Sequence, residues 1–165
     1  MKIITPSDFF EVIGNNHLLL DTCVFIDASL HPGEFTDLFS KMRSSGVTLV
    51  TLDSVKAEFF KGAPNRNKLK DKEKIVDDII KTCLTVDDIT YNNTFELIKR
   101  YLQDGASLSI TDFLLGATLL KHPKNLMLLT KNTTEFPISI FDLKTYFNIL
   151  YNKGLHTYGV YTRKS

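Results

Sequence analysis

Apolar residues recur along this chain with two different periods, and the switches between them predict alternating strands and helices. Leu18-Leu19-Leu20 is an unbroken apolar run that ends on Asp21, and Thr22-Cys23-Val24-Phe25-Ile26-Asp27 behind it starts a helix. Val47 to Leu52 is a β-branched strand followed by the helix-start pair Asp53-Ser54, and Leu126 to Thr130 is a further strand. Helical patterns fill the intervals. They run from Glu34 to Ser45, closed by Gly46, from Leu69 to Cys83, with Ile75, Val76, Ile79, Ile80 and Leu84 on one side, and from Asp88 to Leu102, ending near Gly105. Phe113 to Leu120 is an apolar helix opened by Ser109-Ile110-Thr111-Asp112, and Ser7 to Val12, after Pro6 and before Gly14, is a short helix ahead of the first strand. Such alternation predicts an α/β fold with a central, mainly parallel sheet flanked by helices. Beyond Pro137 the pattern changes: Lys144 to Tyr151 and Leu155 to Thr162 are β-rich and flank Asn152-Lys153-Gly154, a hairpin signal. Pro64-Asn65-Arg66-Asn67 reads as a loop, and with no interdomain linker residues 1–165 form one domain.

The acids matter because of where this pattern puts them. In open α/β sheets ligands bind just beyond the carboxyl ends of the strands. Asp21 ends a strand, Glu58 lies one helical turn after Ser54, Asp112 sits in the first turn of its helix, and Thr130, Lys131, Asn132 and Glu135 follow the end of another strand. Each acid also has a purely structural use. Asp21 is a good N-cap for the helix at Thr22, Asp112 completes a capping box with Ser109, and Glu58 is placed to pair with Lys61 on an exposed helix face. Those uses explain the acids singly and not as a set. Three converging carboxylates repel one another, so a cation is their natural partner. Mg²⁺ and Mn²⁺ prefer such hard oxygen donors, and with them an activated water hydrolyses phosphodiesters.

The ordered set LLLDTCVFID at 18–27, TLDSVKAEFFKG at 51–62, LSITDFLLGATLL at 108–120 and LMLLTKNTTEF at 126–136 resembles the PIN domain, the nuclease fold of the toxins in VapBC-type toxin–antitoxin pairs. The resemblance implies a three-layer α/β fold and a metal-dependent endoribonuclease. It assigns Asp21, Glu58 and Asp112 to the three core acidic positions as catalytic and metal-holding groups, and Thr130 to the hydroxyl position that orients Asp21. At the fourth acid the chain departs from the family, since Asn132 stands where many members have Asp. Others carry an acid three residues on, where Glu135 stands. By this resemblance residues 1–16 are an N-terminal helical addition, a short fifth strand lies near 138–143, and residues 144–165 are a C-terminal β-hairpin extension. It also implies Mg²⁺ or Mn²⁺ as cofactor, RNA as substrate and an antitoxin protein as partner; a homodimer is expected from the C-terminal hairpin, whose alternating tyrosines suit self-association. The departure at Asn132 favours an alternative, a PIN-like module that binds RNA or protein without catalysis. A phosphatase of the haloacid dehalogenase type is discounted, because Cys23 occupies the position where that family needs a second Asp.

Composition adds detail. Net charge is +1, yet six basic residues, Lys61, Arg66, Lys68, Lys70, Lys72 and Lys74, crowd one stretch against Asp71 and Glu73. After Asp142 there is no acid, while Lys144, Lys153, Arg163 and Lys164 alternate with Tyr146, Tyr151, Tyr158 and Tyr161. Basic groups among aromatics suit a surface that tracks a phosphate backbone and stacks bases; Lys61, Arg66, Lys68, Lys131, Arg163 and Lys164 are the RNA-contact candidates. The tyrosine-rich hairpin has a second use, as a strand edge that pairs with another chain. Asp27 reads as structural, Cys23 and Cys83 as small buried residues, and His17, His31, His122 and His156 show no metal spacing. No apolar stretch approaches the roughly 20 residues of a membrane span and MKIITPSDFFEV lacks a signal-peptide pattern, which predicts a cytoplasmic protein.

Overall fold

The three apolar runs pair side by side as parallel strands, an arrangement that buries both of their faces and explains why they lack polar alternation. The computed structural model describes residues 1–103, 108–122, 124–152 and 154–164. The helix end read near Gly105 and the hairpin-turn residue Lys153 therefore fall outside the described residues. Among the described residues the order is β1 (Lys2–Ile4), α1 (Phe9–Ile13), β2 (His17–Leu20), α2 (Thr22–Leu30), α3 (Pro32–Ser44), β3 (Thr48–Leu52), α4 (Asp53–Lys61) and α5 (Arg66–Ile79). Then follow β4 (Thr82–Leu84), α6 (Asp88–Gln103), α7 (Ile110–Lys121), β5 (Leu126–Thr130), β6 (Phe141–Tyr151) and β7 (Gly154–Arg163).

One seven-stranded sheet runs β1-β6-β7-β5-β2-β3-β4. The four strands β5, β2, β3 and β4 are parallel, and β7, β6 and β1 continue the sheet in antiparallel fashion. On one face lie α1 and α3, whose Phe9 and Phe35 meet Phe147 and Tyr158 of the sheet. Against the opposite face lies α7, apolar on nearly all sides because α6 covers its back; Thr111 to Leu119 are all buried. Gly116 permits that sandwich, since a Cβ there would come within 3.1 Å of both Leu97 on α6 and Phe141 on β6. The result is the three-layer α/β architecture expected.

Three expectations need correction. The N-terminal segment is not only helical, because β1 precedes α1 and pairs with β6. The helix read as Leu69 to Cys83 stops at Ile79, where Ile80 turns extended and Thr82–Leu84 becomes a strand beside β3. Its apolar spacing belongs to both elements, and three strand residues are too few to show a period of their own. The hairpin, finally, is no appendage, and its outer edge on β6 is covered by β1 only from Asn148 to Leu150. β7 inserts between β5 and β6, and residues from Phe141 onward are already part of β6 in place of a separate short fifth strand.

Candidate acidic site at the carboxyl edge

Register brings the acids together. Leu20 of β2 lies beside Leu129 of β5, so the next residues, Asp21 and Thr130, meet at the carboxyl edge of the two strands. Asp21 is nearly fully buried and caps α2: its Oδ1 accepts from the Thr22 amide at 2.6 Å. Its Oδ2 accepts from the Thr130 hydroxyl at 2.6 Å and from the Cys23 thiol at 3.3 Å. Burial pushes the Asp21 carboxyl above the usual range; Thr130, Cys23 and the Thr22 amide draw it down, and the Asp112 charge pushes it up again. Burial, followed by the charge of Asp21, likewise raises the Cys23 thiol. It remains a protonated donor.

Asp112 arrives from the opposite layer. The predicted capping box is present, with the Ser109 hydroxyl and amide donating to Asp112 Oδ2 at 2.5 and 3.1 Å and the Asp112 amide donating to Ser109 Oγ at 3.2 Å. The cap fixes the carboxylate at the N-terminus of α7, where the helix dipole favours negative charge. Structural and chemical uses therefore coincide at both Asp21 and Asp112.

Glu135 is the acid drawn toward this pair. The turn from Asn132 to Glu135 is pinned by the Tyr101 hydroxyl on the Glu135 carbonyl at 2.6 Å and by the buried Phe136 ring against Phe141 and Tyr161. Burial, then the Asp112 carboxylate beside it, push the Glu135 carboxyl up to about 7; the Asn132 side chain pulls it down and Asp21 adds to the rise. One of its oxygens, Oε2, is buried without a hydrogen-bond partner among the described residues. Asn132 also donates its amide to Thr130 Oγ1 at 3.0 Å, closing a chain of bonds from Asn132 through Thr130 to Asp21.

Glu58 stands apart. It is exposed on α4 and reaches the others through Thr22, whose hydroxyl donates to Glu58 Oε2 at 2.8 Å. Lys131 is partly exposed and already has a partner: its ammonium lies 3.1 Å from Asp27, a buried carboxylate that also accepts from Tyr158 at 2.7 Å and Tyr151 at 3.2 Å. The remaining basic candidates are dispersed. Lys61 ends α4 and Arg66 begins α5, while Lys68 pairs with Asp71. Arg163 and Lys164 lie at the other edge of the sheet, because β7 runs antiparallel to β5 and its last residues flank the start of that strand. Their side chains donate to the carbonyls of Leu120 and Ile138.

Sequence reasoning missed the Cys23 donor, although its place two residues after a capping Asp was a readable signal. It also had no access to the Asp27 network, whose members come from three separate elements.

Whether the acids suit a divalent cation is decided by their donor set. Among the described residues no three His, Cys, Asp or Glu side chains are grouped tightly enough as they stand to hold an ion. Still, Asp21 and Glu135 both have raised proton affinities, all the charged donors are hard oxygens, and Glu135 Oε2 has no other partner. That set fits Mg²⁺ or Mn²⁺, and the one soft atom beside it, the Cys23 sulfur, is held as a protonated donor.

No known family model and no curated protein sequence matches the chain. A chain in the crystal structure of VapBC2 from Rickettsia felis bound to a DNA fragment from their promoter is similar in structure, with a TM-score of 0.58 and 18% sequence identity over 72% of this chain and 89% of that one. The fold is PIN-like, of the VapC kind. No helix of the described residues is long and apolar enough to cross a membrane.

Proposed function

We propose that the chain is a PIN-type endoribonuclease that cleaves RNA phosphodiester bonds with Mg²⁺ or Mn²⁺, and that it acts as the toxin of a pair with an antitoxin protein. The observation that carries this reading is the Glu135 carboxyl, pushed up to about 7 beside Asp112 and Asp21, with a buried oxygen that no described residue satisfies. A carboxyl whose proton affinity is raised by burial and by two neighbouring acids at a strand edge is the kind of perturbed group that collects at functional sites. The antitoxin partner is supported by the similar chain, which was crystallised as VapBC2 on promoter DNA.

Asp21, Asp112 and Glu135 would hold the ion, with Glu58 and the Asn132 amide at its margin. When bound, the ion supplies an activated water and relieves charge on the reacting phosphate. The chain does the positioning. Thr130 and Cys23 fix Asp21 Oδ2, Ser109 fixes Asp112 Oδ2, and Tyr101 holds the turn that carries Glu135. Ligand-orienting bonds of this kind typically change metal affinity or activity by about 10–100-fold.

A second reading, an RNA- or protein-binding module without catalysis, is favoured by the neutral Asn132 and by the absence of a tight three-acid group among the described residues. Calorimetric titration with Mn²⁺ and an RNA cleavage assay separate the two. The nuclease reading expects saturable Mn²⁺ binding that is lost in Asp112→Asn, together with cleavage that stops on chelation. Mn²⁺ binding without any cleavage, or cleavage untouched by chelation, would overturn it.

A further inference from the structure

Antiparallel strands with one buried face normally present polar residues on the other. The outer half of this sheet breaks that rule. On the buried face of β6 and β7, Phe147, Ile149, Tyr158 and Val160 pack beneath α1 and α3 with no solvent exposure. The pairings Lys2↔Leu150, Ile4↔Asn148, Tyr146↔Gly159, Asn148↔Thr157 and Leu150↔Leu155 place the remaining side chains together on the opposite face. There Tyr146 is 45% exposed and Leu155 59%, with Ile4, Leu150 and Leu143 in the same state. A cluster of exposed large apolar groups on one face marks an interaction site.

Three observations say what lies on it. The face carries a cation, Lys2, and no carboxylate, and no acid follows Asp142 in the chain. Its middle is polar: the Thr157 hydroxyl donates to Asn148 Oδ1 at 2.8 Å, which leaves the Asn148 amide hydrogens for another acceptor. It also adjoins the acidic site, with the buried Tyr161 ring lying over Gly159 between them. Gly159, opposite Tyr146, pairs on its other side with Thr130, the residue whose hydroxyl holds Asp21. Tyr146 thus sits two strands, about 10 Å, from the strand end that positions the acid. An apolar partner helix leaves the Asn148–Thr157 pair and the free Asn148 amide hydrogens unused. Single-stranded RNA uses all of it: bases stack on aromatic and apolar side chains, hydrogen-bond with amides, and carry phosphates to cations.

We infer that the exposed face of β1, β6 and β7, centred on Tyr146, is a platform for single-stranded RNA that leads the strand into the acidic site. The platform rests on the nuclease reading for its purpose, but its binding is testable without catalysis. The probe is a fluorescent single-stranded oligoribonucleotide of mixed sequence, titrated in EDTA with the full-length Asp21→Asn protein, followed by anisotropy. Tyr146→Ala and Leu150→Ser each weaken binding about tenfold, the scale of one lost stacking contact, and Lys2→Gln lowers the salt dependence. All three positions are exposed, and circular dichroism of each variant checks that it is folded.

Unchanged affinity in folded Tyr146→Ala and Leu150→Ser proteins overturns the platform, as does equal affinity of the parent for the same RNA as a duplex. A change in mass by light scattering with unaltered RNA affinity also overturns it and makes the face a protein interface. The nuclease reading fails separately: with Asp21 restored and Mn²⁺ added, RNA that is bound through Tyr146 yet never cleaved leaves the platform standing alone.

Discussion

Asp21 is at once the N-cap of α2 and an acid of the cluster, so a test of its chemistry has to keep the cap. Asn caps helices about as well as Asp; its Oδ1 still accepts from the Thr22 amide, while Nδ2 replaces the oxygen that accepted from Thr130 and Cys23, so the Thr130 bond has to reverse. We expect Asp21→Asn and Asp112→Asn to cost no more than about 1–2 kcal/mol in urea unfolding, the scale of one altered buried hydrogen bond. Their Mn²⁺-dependent cleavage should fall by about a hundredfold or more. Equal cleavage by either variant would show that the capping role is all that residue does. Glu135 gives a pH test. Its folded carboxyl titrates near 7, above the ordinary 4.5, so between those values the folded chain binds the extra proton. Stability in chelator therefore falls as pH rises from 4.5 to 7 and stays low above. Glu135→Gln should stabilise the protein at pH 8 by about 1 kcal/mol after allowance for solvent screening, and leave it unchanged at pH 4. Equal effects at both pH values would place the stabilisation elsewhere than in charge. Asp21, Asp112, Thr130 and Glu135 were all legible as candidates because each follows a strand end or opens a helix. Which acid answers the pair was not, since only the folded turn after β5 shows Glu135 beside Asp112 and Asn132 bonded back to Thr130.

At the scale of elements, one buried carboxylate ties together three pieces of the fold. Asp27 on α2 receives Lys131 from the loop after β5 and Tyr151 and Tyr158 from the hairpin, and Tyr158 also donates to the Cys23 carbonyl at 3.1 Å. Removing one partner leaves a buried charge short of compensation, which costs about 3–5 kcal/mol when the pair is fully enclosed. Lys131 is partly exposed and the tyrosines remain, so Lys131→Met should cost about 2 kcal/mol by chemical denaturation, below that range. Tyr158→Phe, which loses the one hydroxyl hydrogen shared between Asp27 and the Cys23 carbonyl, should cost about as much. If Lys131→Met is neutral, the tyrosines alone hold Asp27. The hairpin itself was readable from alternation and the Asn-Lys-Gly turn, whereas its position was not. Sequence order gives no hint that β7 slides between β5 and β6, and that insertion turns an apparent extension into core. Deleting residues 144–165 would remove the buried Phe147, Tyr158 and Val160 and strip the edge of β5. We expect the truncated chain to lose its cooperative thermal transition. A truncated protein that melts sharply would show that the parallel strands fold alone.

On the scale of the whole molecule, the strands and helices of the parallel half followed from apolar runs and caps, and the layer order followed from them because parallel strands must be covered on both faces. The antiparallel half depended on long-range pairings, β1 with β6 and β5 with β7, that no local pattern encodes. Charge is the other property that only the assembled molecule reveals. With a net charge of +1 the protein has little general attraction for nucleic acid, so any RNA affinity must come from a local surface. The two basic stretches of the sequence end up differently. Around α5, Lys68 is paired with Asp71, and Lys72 donates to the Phe59 carbonyl and lies over the Phe59 ring. On the hairpin Lys144 lies 3.7 Å from Asp142, a looser pair, no acid follows Asp142, and the outer face adjoins the acidic site. If RNA crosses the hairpin, it meets two cations, Lys2 and Lys144, and the slope of log K against log salt should be about −1.4 for a single strand. Lys70→Gln with Lys74→Gln, both on α5, should leave that slope unchanged, while Lys2→Gln with Lys144→Gln should bring it close to zero. A slope much steeper than this that flattens in the α5 double variant would mean that the strand runs across α5 instead.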